Sequence, residues 1–415
     1  MQKVKLLDNK PSEWLAHRFY VLGQYDMCMT VVEQILRKNP DNPEALTLKG
    51  NVLCSKGQVD EALNCFQNAF YLDTENMRHS LEIAKCLYFL GRFPQALKIL
   101  RELESTPEGN IWEVFHLIGL CSKRIRKIDD AIDSFQNALD TDLRIETFLE
   151  LINIYESQHD TSALNGILSE AMKYHSNNAI LRRRIGKLEI SQKHFSKALS
   201  HINFAISRDP NDSLSYLLAG SIEQENLHID DALNYYRKAF LGLSNSPALW
   251  NNVALCLQVR SRREAVVACC RRAMFYAPFE AMPLANMGLV YLEMGLYCSA
   301  AIVLKKARNL DIGAIPAIEG LAIALMNLGE YNEAISIFKS ELQKSPSHQT
   351  LINLAICYYR AGRMQEASSA FEKFMKIIND EPALEASYPV KDILIPMFSE
   401  NKAPTPKKSS KPHFL

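Results

Sequence analysis

The sequence predicts an all-α protein: a right-handed superhelical solenoid of about eleven helix–turn–helix repeats. Two columns of small residues and a punctuated turn pattern carry this prediction. The first column is Ala62, Ala96, Ala131, Ala163, Ala198, Ala232, Ala300, Ala334 and Ala367, recurring at about 34 residues. Val266 fills the double step between Ala232 and Ala300, and Cys28 extends the column toward the N-terminus. The second column precedes it in every unit: Ala16, Gly50, Ala84, Gly119, Leu151, Gly186, Gly220, Ala254, Gly288, Ala322 and Ala355. A large side chain where two helices cross would hold their backbones apart, so paired small residues mark a helix crossing in each unit.

Each unit supplies two amphipathic segments. In the ninth, Leu284, Met287, Gly288 and Tyr291 share one helical face, and Ala300, Leu304 and Ala307 share another. Gly295 lies between them, where a tight turn needs positive φ, and Gly57, Gly91, Gly329 and Gly362 hold the same slot elsewhere. Pro40, Pro210, Pro278 and Pro346 follow second helices, which proline cannot continue. No run alternates as a strand does. This is the pattern of tetratricopeptide repeats.

The units start near residues 9, 43, 77, 112, 144, 179, 213, 247, 281, 315 and 348, after a lead-in at 1–8. The fifth departs from the pattern: Leu151 replaces a small residue, Ala171 is one place off register, and the stretch Ser157–Asp160 lacks the turn glycine. A local irregularity, a change in superhelical pitch, is expected there. The repeats end near 381. Residues 382–398 include the apolar stretch Tyr388–Phe398, which would cap the last repeat, as a solenoid end requires. Residues 399–415 are polar, basic and proline-rich and cannot bury a core, so a disordered tail is expected.

Composition narrows the function. The 47 basic residues balance 47 acidic ones, which argues against a general nucleic-acid binder. No apolar run approaches the roughly 18 residues of a membrane helix. The polar segment Met1–Lys10 lacks a signal peptide's apolar stretch, so the chain reads as cytosolic. Ten cysteines form no CxxC pair, and most lie on helix faces beside Leu, Ala or Phe, which reads as small buried hydrophobes in a reducing compartment. His194 and His201 lack a third ligand, and there is no phosphate loop, GxSxG or HExxH. No catalytic residue, cofactor or metal is expected.

The interaction surface is the remaining candidate. First helices of such repeats line the inner wall. Asn252, Asn286 and Asn353 share the sixth position of their repeats, with Asn251 beside Asn252. An amide there can bond the backbone of an extended partner, or else hold neighbouring helices in register. Arg183, Arg184 and Lys187 form a local positive stretch suited to an acidic segment. Adjacent units offer Phe148, Leu149, Leu217 and Leu218 in place of the Asn of a chaperone-tail clamp. With Ile352 and Ile356 these form an apolar lining that favours a permanent assembly contact. A second basic cluster, Arg260, Arg262, Arg263, Arg271 and Arg272, falls on the turn and second helix of the eighth repeat.

The eighth and ninth repeats carry more than repeat consensus. The runs Ser246-Pro-Ala-Leu-Trp-Asn-Asn-Val-Ala-Leu-Cys-Leu257, Arg272-Ala-Met-Phe-Tyr-Ala-Pro-Phe279 and Asn286-Met-Gly-Leu-Val-Tyr-Leu292 resemble the fourth Bardet–Biedl syndrome protein family. The lead-in and tail are shorter than that family's, so no role tied to its tails is implied. The resemblance implies a non-enzymatic subunit of the BBSome, the coat-like complex that moves membrane proteins into and out of cilia. It implies sibling BBSome subunits as direct partners, with ciliary membrane-protein cargo and an Arf-like GTPase reached through the complex. The implied location is the cytoplasm, cilium, basal body and centriolar region. Trp250 and Asn252, at the centre of the resemblance, are expected in or beside a subunit contact. A scaffold subunit of the anaphase-promoting ubiquitin ligase and a repeat adaptor of intraflagellar transport are the competing readings. A sugar transferase would need a catalytic domain after the repeats.

Overall fold

In the computed structural model of the chain, residues 13–311, 313–344 and 347–380 are described. The expectations for residues 1–8, 382–398 and 399–415, and for Pro346, lie outside them. Among the described residues there are twenty-two α-helices, one 3-10 turn (Pro107–Gly109) and no strand. The chain divides into two compact units, Met1–Leu181 and Arg182–Leu415.

The first unit begins with α1 (Glu13–Val21), α2 (Tyr25–Lys38), α3 (Pro43–Ser55), α4 (Val59–Leu72), α5 (Met77–Phe89) and α6 (Phe93–Glu104). It continues with α7 (Trp112–Arg124), α8 (Ile128–Thr141), α9 (Ile145–Gln158) and α10 (Thr161–Tyr174). The division falls inside α11 (Ala179–Ser191). The second unit holds α12 (Phe195–Arg208), α13 (Ser213–Glu225), α14 (Ile229–Leu243), α15 (Pro247–Val259) and α16 (Arg263–Tyr276). It ends with α17 (Ala281–Glu293), α18 (Tyr297–Leu310), α19 (Ile315–Leu328), α20 (Tyr331–Lys344), α21 (His348–Arg360) and α22 (Met364–Asp380). Odd-numbered helices are the first of each repeat and even-numbered ones the second. First helices also touch those of the next repeat, as α5 touches α7, α15 touches α17 and α19 touches α21.

One backbone device makes every turn between first and second helix. The residue that opens the second helix sends its N–H back five residues: Gln58 to the Leu53 carbonyl, His228 to Glu223, Arg363 to Tyr358. Eleven such bonds span 2.8 to 3.1 Å. They close the C-terminal turn of each first helix on a left-handed residue, satisfying carbonyls that would otherwise be orphaned. Glycine supplies the left-handed residue at Gly23, Gly57, Gly91, Gly295, Gly329 and Gly362. The five middle repeats use Arg126, His159, Lys193, Leu227 and Ser261 instead, all with φ between 55° and 65°. The glycine pattern of the sequence therefore marks the turn but is not needed to form it. Several first helices start on side-chain caps: Asn42 accepts from the Ala45 N–H, Asp212 from Leu214 and Ser246 from Leu249.

The two small columns meet as expected. Except for Ala163, every residue of the Ala62–Ala367 column is fully buried, as are Cys28 and Val266. Where the first helix holds glycine in its column, a bulky residue one turn past the column residue of the second helix presses on it. A methyl group added to Gly50 would lie 2.7 Å from the Phe66 ring, and one added to Gly119 would lie 2.6 Å from Phe135. Tyr236 over Gly220 and Leu304 over Gly288 repeat the contact. Phe66, Phe135 and Tyr236 are at most 1% exposed, so each contributes about 2–3 kcal/mol of burial.

The fifth repeat corrects one position. Ala163 is half-exposed, and its N–H is capped by the Asp160 carboxylate at 3.0 Å. Helix α10 starts one residue later than the column implies, so Leu164, Leu168 and Ala171 face the core. Leu151 is fully buried at the column position where other repeats hold Ala or Gly, and Ile152 beside it is fully buried too. Among the described residues, no helix is long and apolar enough to cross a membrane.

Two glycines on helices separate packing from propensity. Gly220→Ala is expected to destabilise the protein by about 1–3 kcal/mol, because the new methyl collides with the Tyr236 ring. Gly166→Ala, with nothing within 4 Å of the new methyl, should stabilise it by up to about 1 kcal/mol. Urea denaturation of both variants checks the pair, and shifts of the same sign would refute the packing argument. Leu227→Gly should stabilise by roughly 0.5–1 kcal/mol by removing left-handed strain from a side chain that is 76% exposed; a lowered melting temperature would contradict this.

Candidate protein-interaction site

The basic stretch of the sixth repeat is tied into the fold. The Arg183 guanidinium donates to the Asp212 carboxylate at 2.5 Å, and the two side chains are only 17% and 11% exposed. Asp212 also caps α13 and accepts from the Ser215 hydroxyl at 2.6 Å. Arg183 therefore anchors one repeat to the helix start of the next; it is not offered to an acidic segment. Arg184 is half-buried and Lys187 exposed on the same helix. Arg182 lies over the Phe204 ring at 4.7 Å and reaches His201 Nδ1 at 3.2 Å. Burial, aided by this guanidinium, holds the His201 pKa below its usual value. His201 and His194 take separate partners, since His194 Nδ1 meets Glu189 at 2.8 Å.

The Trp-Asn-Asn element resolves into three roles. The Trp250 indole N–H donates to the Ser244 carbonyl at 2.8 Å, closing the loop that enters α15. Its ring stands edge-on to Phe240 at 5.2 Å, with the Arg272 guanidinium 5.9 Å from its centroid. Asn251 accepts from the Asn286 amide at 2.8 Å, joining the first helices of the eighth and ninth repeats. Asn286 is 7% exposed, so it is a register bond and not a groove contact. Asn252 hydrogen-bonds the Tyr236 hydroxyl, which itself donates to Gln224 at 2.8 Å. Burial pushes the Tyr236 pKa far up, keeping that hydroxyl neutral over the Gly220 crossing. Asn353 is half-buried and makes no side-chain hydrogen bond among the described residues. Of the eight candidates, Arg183, Asn251, Asn252 and Asn286 are engaged between helices, Trp250 is a half-buried latch, Arg184 and Asn353 are half-buried, and Lys187 is exposed.

The expected apolar lining is corrected in the same way. Phe148 is fully buried and Ile352 is 5% exposed, because both fill space between helices. Leu149, Leu217, Leu218 and Ile356 are half-buried. The second basic cluster is largely paired: Arg260 with Asp230, Arg263 with Glu293, and Arg271 with the Tyr291 hydroxyl.

The sequence reading missed polar contacts between first helices in the N-terminal unit. A groove of about 600 Å³ runs along α3 and α5, with Thr47, Asn51, Glu82 and Lys85 among its walls. His79, 4% exposed, sits in it with Nδ1 3.2 Å from the Thr47 hydroxyl and Nε2 3.7 Å from the Asp73 carboxylate. Further on, the Trp112 indole donates to the Thr147 hydroxyl at 2.8 Å, and Trp112 stacks on His116 at 4.5 Å. Burial lowers the His116 pKa. The available signal was a polar residue at the fifth position of five first helices, Thr47, His116, Arg183, Asn251 and Glu319, each bonded to the following repeat. Glu223, His228 and Asp231 bring three ligand atoms within 4.8 Å of one another. The His228–Glu223 contact repeats as His194–Glu189 in the preceding repeat, so it belongs to the turn.

Known proteins resemble this chain along nearly its whole length. The family model of anaphase-promoting complex, cyclosome, subunit 3 matches residues 21–103, and a tetratricopeptide-repeat model matches residues 320–380. Among solved structures, the anaphase-promoting-complex hetero-tetramer Cut9–Hcn1 is similar at a TM-score of 0.46 and 14% identity, over 90% of this chain and 96% of that one. The BBSome complex member BBS4 of Bos taurus is 26% identical over 368 residues, 88% of this chain and 71% of that protein. The Caenorhabditis elegans member bbs-4 is 25% identical over 90% of this chain and 83% of its own length. The Drosophila melanogaster BBS4 homologue is 24% identical over 89% and 80%. Relatives from cattle, nematode and fly thus follow one repeat array almost throughout, and the chain is similar to BBS4 proteins over that length.

Proposed function

We propose that this chain is a non-enzymatic scaffold subunit of a BBSome, acting in the traffic of membrane proteins to and from cilia. The observation that carries this reading is the alignment with BBSome members through 88 to 90% of the chain. A match confined to one or two repeats would speak for the repeat alone. The side chains support a scaffold. The polar residues of the first helices go into repeat-to-repeat bonds, which make an array rigid enough to hold partners at fixed spacing. On this reading the direct partners are sibling subunits. Cargo and an Arf-like GTPase are met through the complex, and the chain resides in the cytoplasm, the cilium and the basal-body and centriolar region. A second reading, a scaffold of the anaphase-promoting complex, is favoured by the subunit 3 model over residues 21–103.

Affinity purification of the tagged chain from ciliated cells, followed by mass spectrometry, separates the two. Sibling BBSome subunits are expected in comparable amounts; recovery of ubiquitin-ligase subunits, or of neither set, overturns the proposal. Lys187 and Asn353 make a finer test. Lys187→Glu and Asn353→Asp should reduce recovery of at least one subunit. Arg183→Ala should instead cost about 2 kcal/mol of stability, because it removes a charged hydrogen bond between half-buried repeats. Full subunit recovery with both surface variants would exclude those two positions from the contact.

A further inference from the structure

One contact between first helices differs in chemistry from the rest. The twelfth residue of one repeat meets the tenth residue of the next: Gln224 accepts from the Cys256 thiol at 3.4 Å. In the second and third repeats both slots hold cysteine, and Cys54 Sγ lies 3.7 Å from Cys86 Sγ. Both thiols are free. Cys86 is fully buried, whereas Cys54, in the last turn of α3, is half-buried. Cys121 and Cys357 share the slot of Cys86 in their repeats, and neither has a cysteine at this contact; Cys357 donates to the Tyr331 carbonyl.

We propose that Cys54 and Cys86 are an oxidative modification site, a thiol pair that hydrogen peroxide converts into a disulfide joining α3 to α5. The two cysteines are unequal in the way such a pair requires. The Cys86 S–H hydrogen bond holds the Cys54 thiol below its ordinary pKa, with Lys85 assisting against the opposing effects of burial and Glu82. That same bond, and then burial, push the Cys86 thiol far up. Cys54 is the more reactive nucleophile and Cys86 the resolving thiol. A small oxidant has a route: the groove lined by Asn51, Glu82 and Lys85 reaches within one helical turn of Cys54.

The chemistry balances in two steps. The Cys54 thiolate attacks one peroxide oxygen, the O–O bond breaks, and the departing hydroxide takes a proton to become water, leaving a sulfenic acid on Cys54. Cys86 sulfur then attacks the sulfenic sulfur, the S–O bond breaks, and hydroxide leaves with the Cys86 proton as a second water. Two thiols lose two electrons in all, and one peroxide becomes two waters. The sulfurs must close from 3.7 Å to about 2.05 Å, a movement that side-chain rotation in the last turn of α3 can contribute.

The test uses the purified full chain, reduced and then exposed to hydrogen peroxide, blocked with N-ethylmaleimide and mapped by mass spectrometry without reduction. A peptide joining Cys54 to Cys86, two hydrogens lighter than its parts, is expected at about tenfold excess over any other cysteine pair. Cys86→Ser should trap the sulfenic acid, seen as a dimedone adduct on Cys54; Cys54→Ser should leave Cys86 unlabelled. The wild-type map stands whether or not either variant folds. The proposal is overturned if peroxide leaves Cys54 and Cys86 both open to maleimide while exposed Cys298 is oxidised. It is equally overturned if Cys86 takes dimedone in the Cys54→Ser protein.

Discussion

The contact on which the rest depends is the seating of one large side chain over one missing side chain. In five repeats the second helix drives a Phe, Tyr, Leu or Ile onto a Gly of the first, as Phe66 onto Gly50 and Phe135 onto Gly119. The close approach brings the backbones near enough for the five-residue return bond to close the turn between them. It also leaves the opposite face of each first helix free to meet the next repeat. A bulky residue at the small column would lengthen the crossing, open the turn and misplace the polar contacts beyond it. The constraint therefore acts at three scales: inside the crossing, at the turn, and between repeats.

Much of this was legible because it is periodic. Two columns of Ala and Gly announced helix pairs, and the pairs are there. What periodicity hid was anything that depended on one residue's shift or one side chain's direction. Ala163 continued the column in sequence, yet the Asp160 cap starts α10 a residue later and gives the buried place to Leu164. Turn glycines pointed to left-handed residues, but Arg126, His159, Lys193, Leu227 and Ser261 adopt the same conformation unannounced. There the return bond outweighs the roughly 1–2 kcal/mol that a side chain costs in that region.

The candidate surface was the least legible part, for a physical reason. A polar residue on a first helix has two possible destinations, a partner or the adjacent repeat, and the heptad-like position is the same for both. Arg183 and Asn286 took the second, since Asp212 and Asn251 arrive within hydrogen-bonding distance once the repeats stack. A buried amide or guanidinium left without such a partner would be costly, so these bonds are satisfied before any ligand is present. Only residues beyond reach of the next repeat, such as Asn353, are left over.

The same stacking rule explains why chemistry at a repeat junction need not be designed for. Wherever position twelve faces position ten of the next repeat, two side chains are held together by the backbone whatever they are. Gln224 with Cys256 gives a thiol–amide bond, and Cys54 with Cys86 gives a thiol pair. A tandem array thus places any two residue types in contact by substituting at two fixed positions about 32–34 residues apart, with no change to the fold. Reactivity in such a protein is to be sought at these junctions, where proximity is enforced, before its exposed faces.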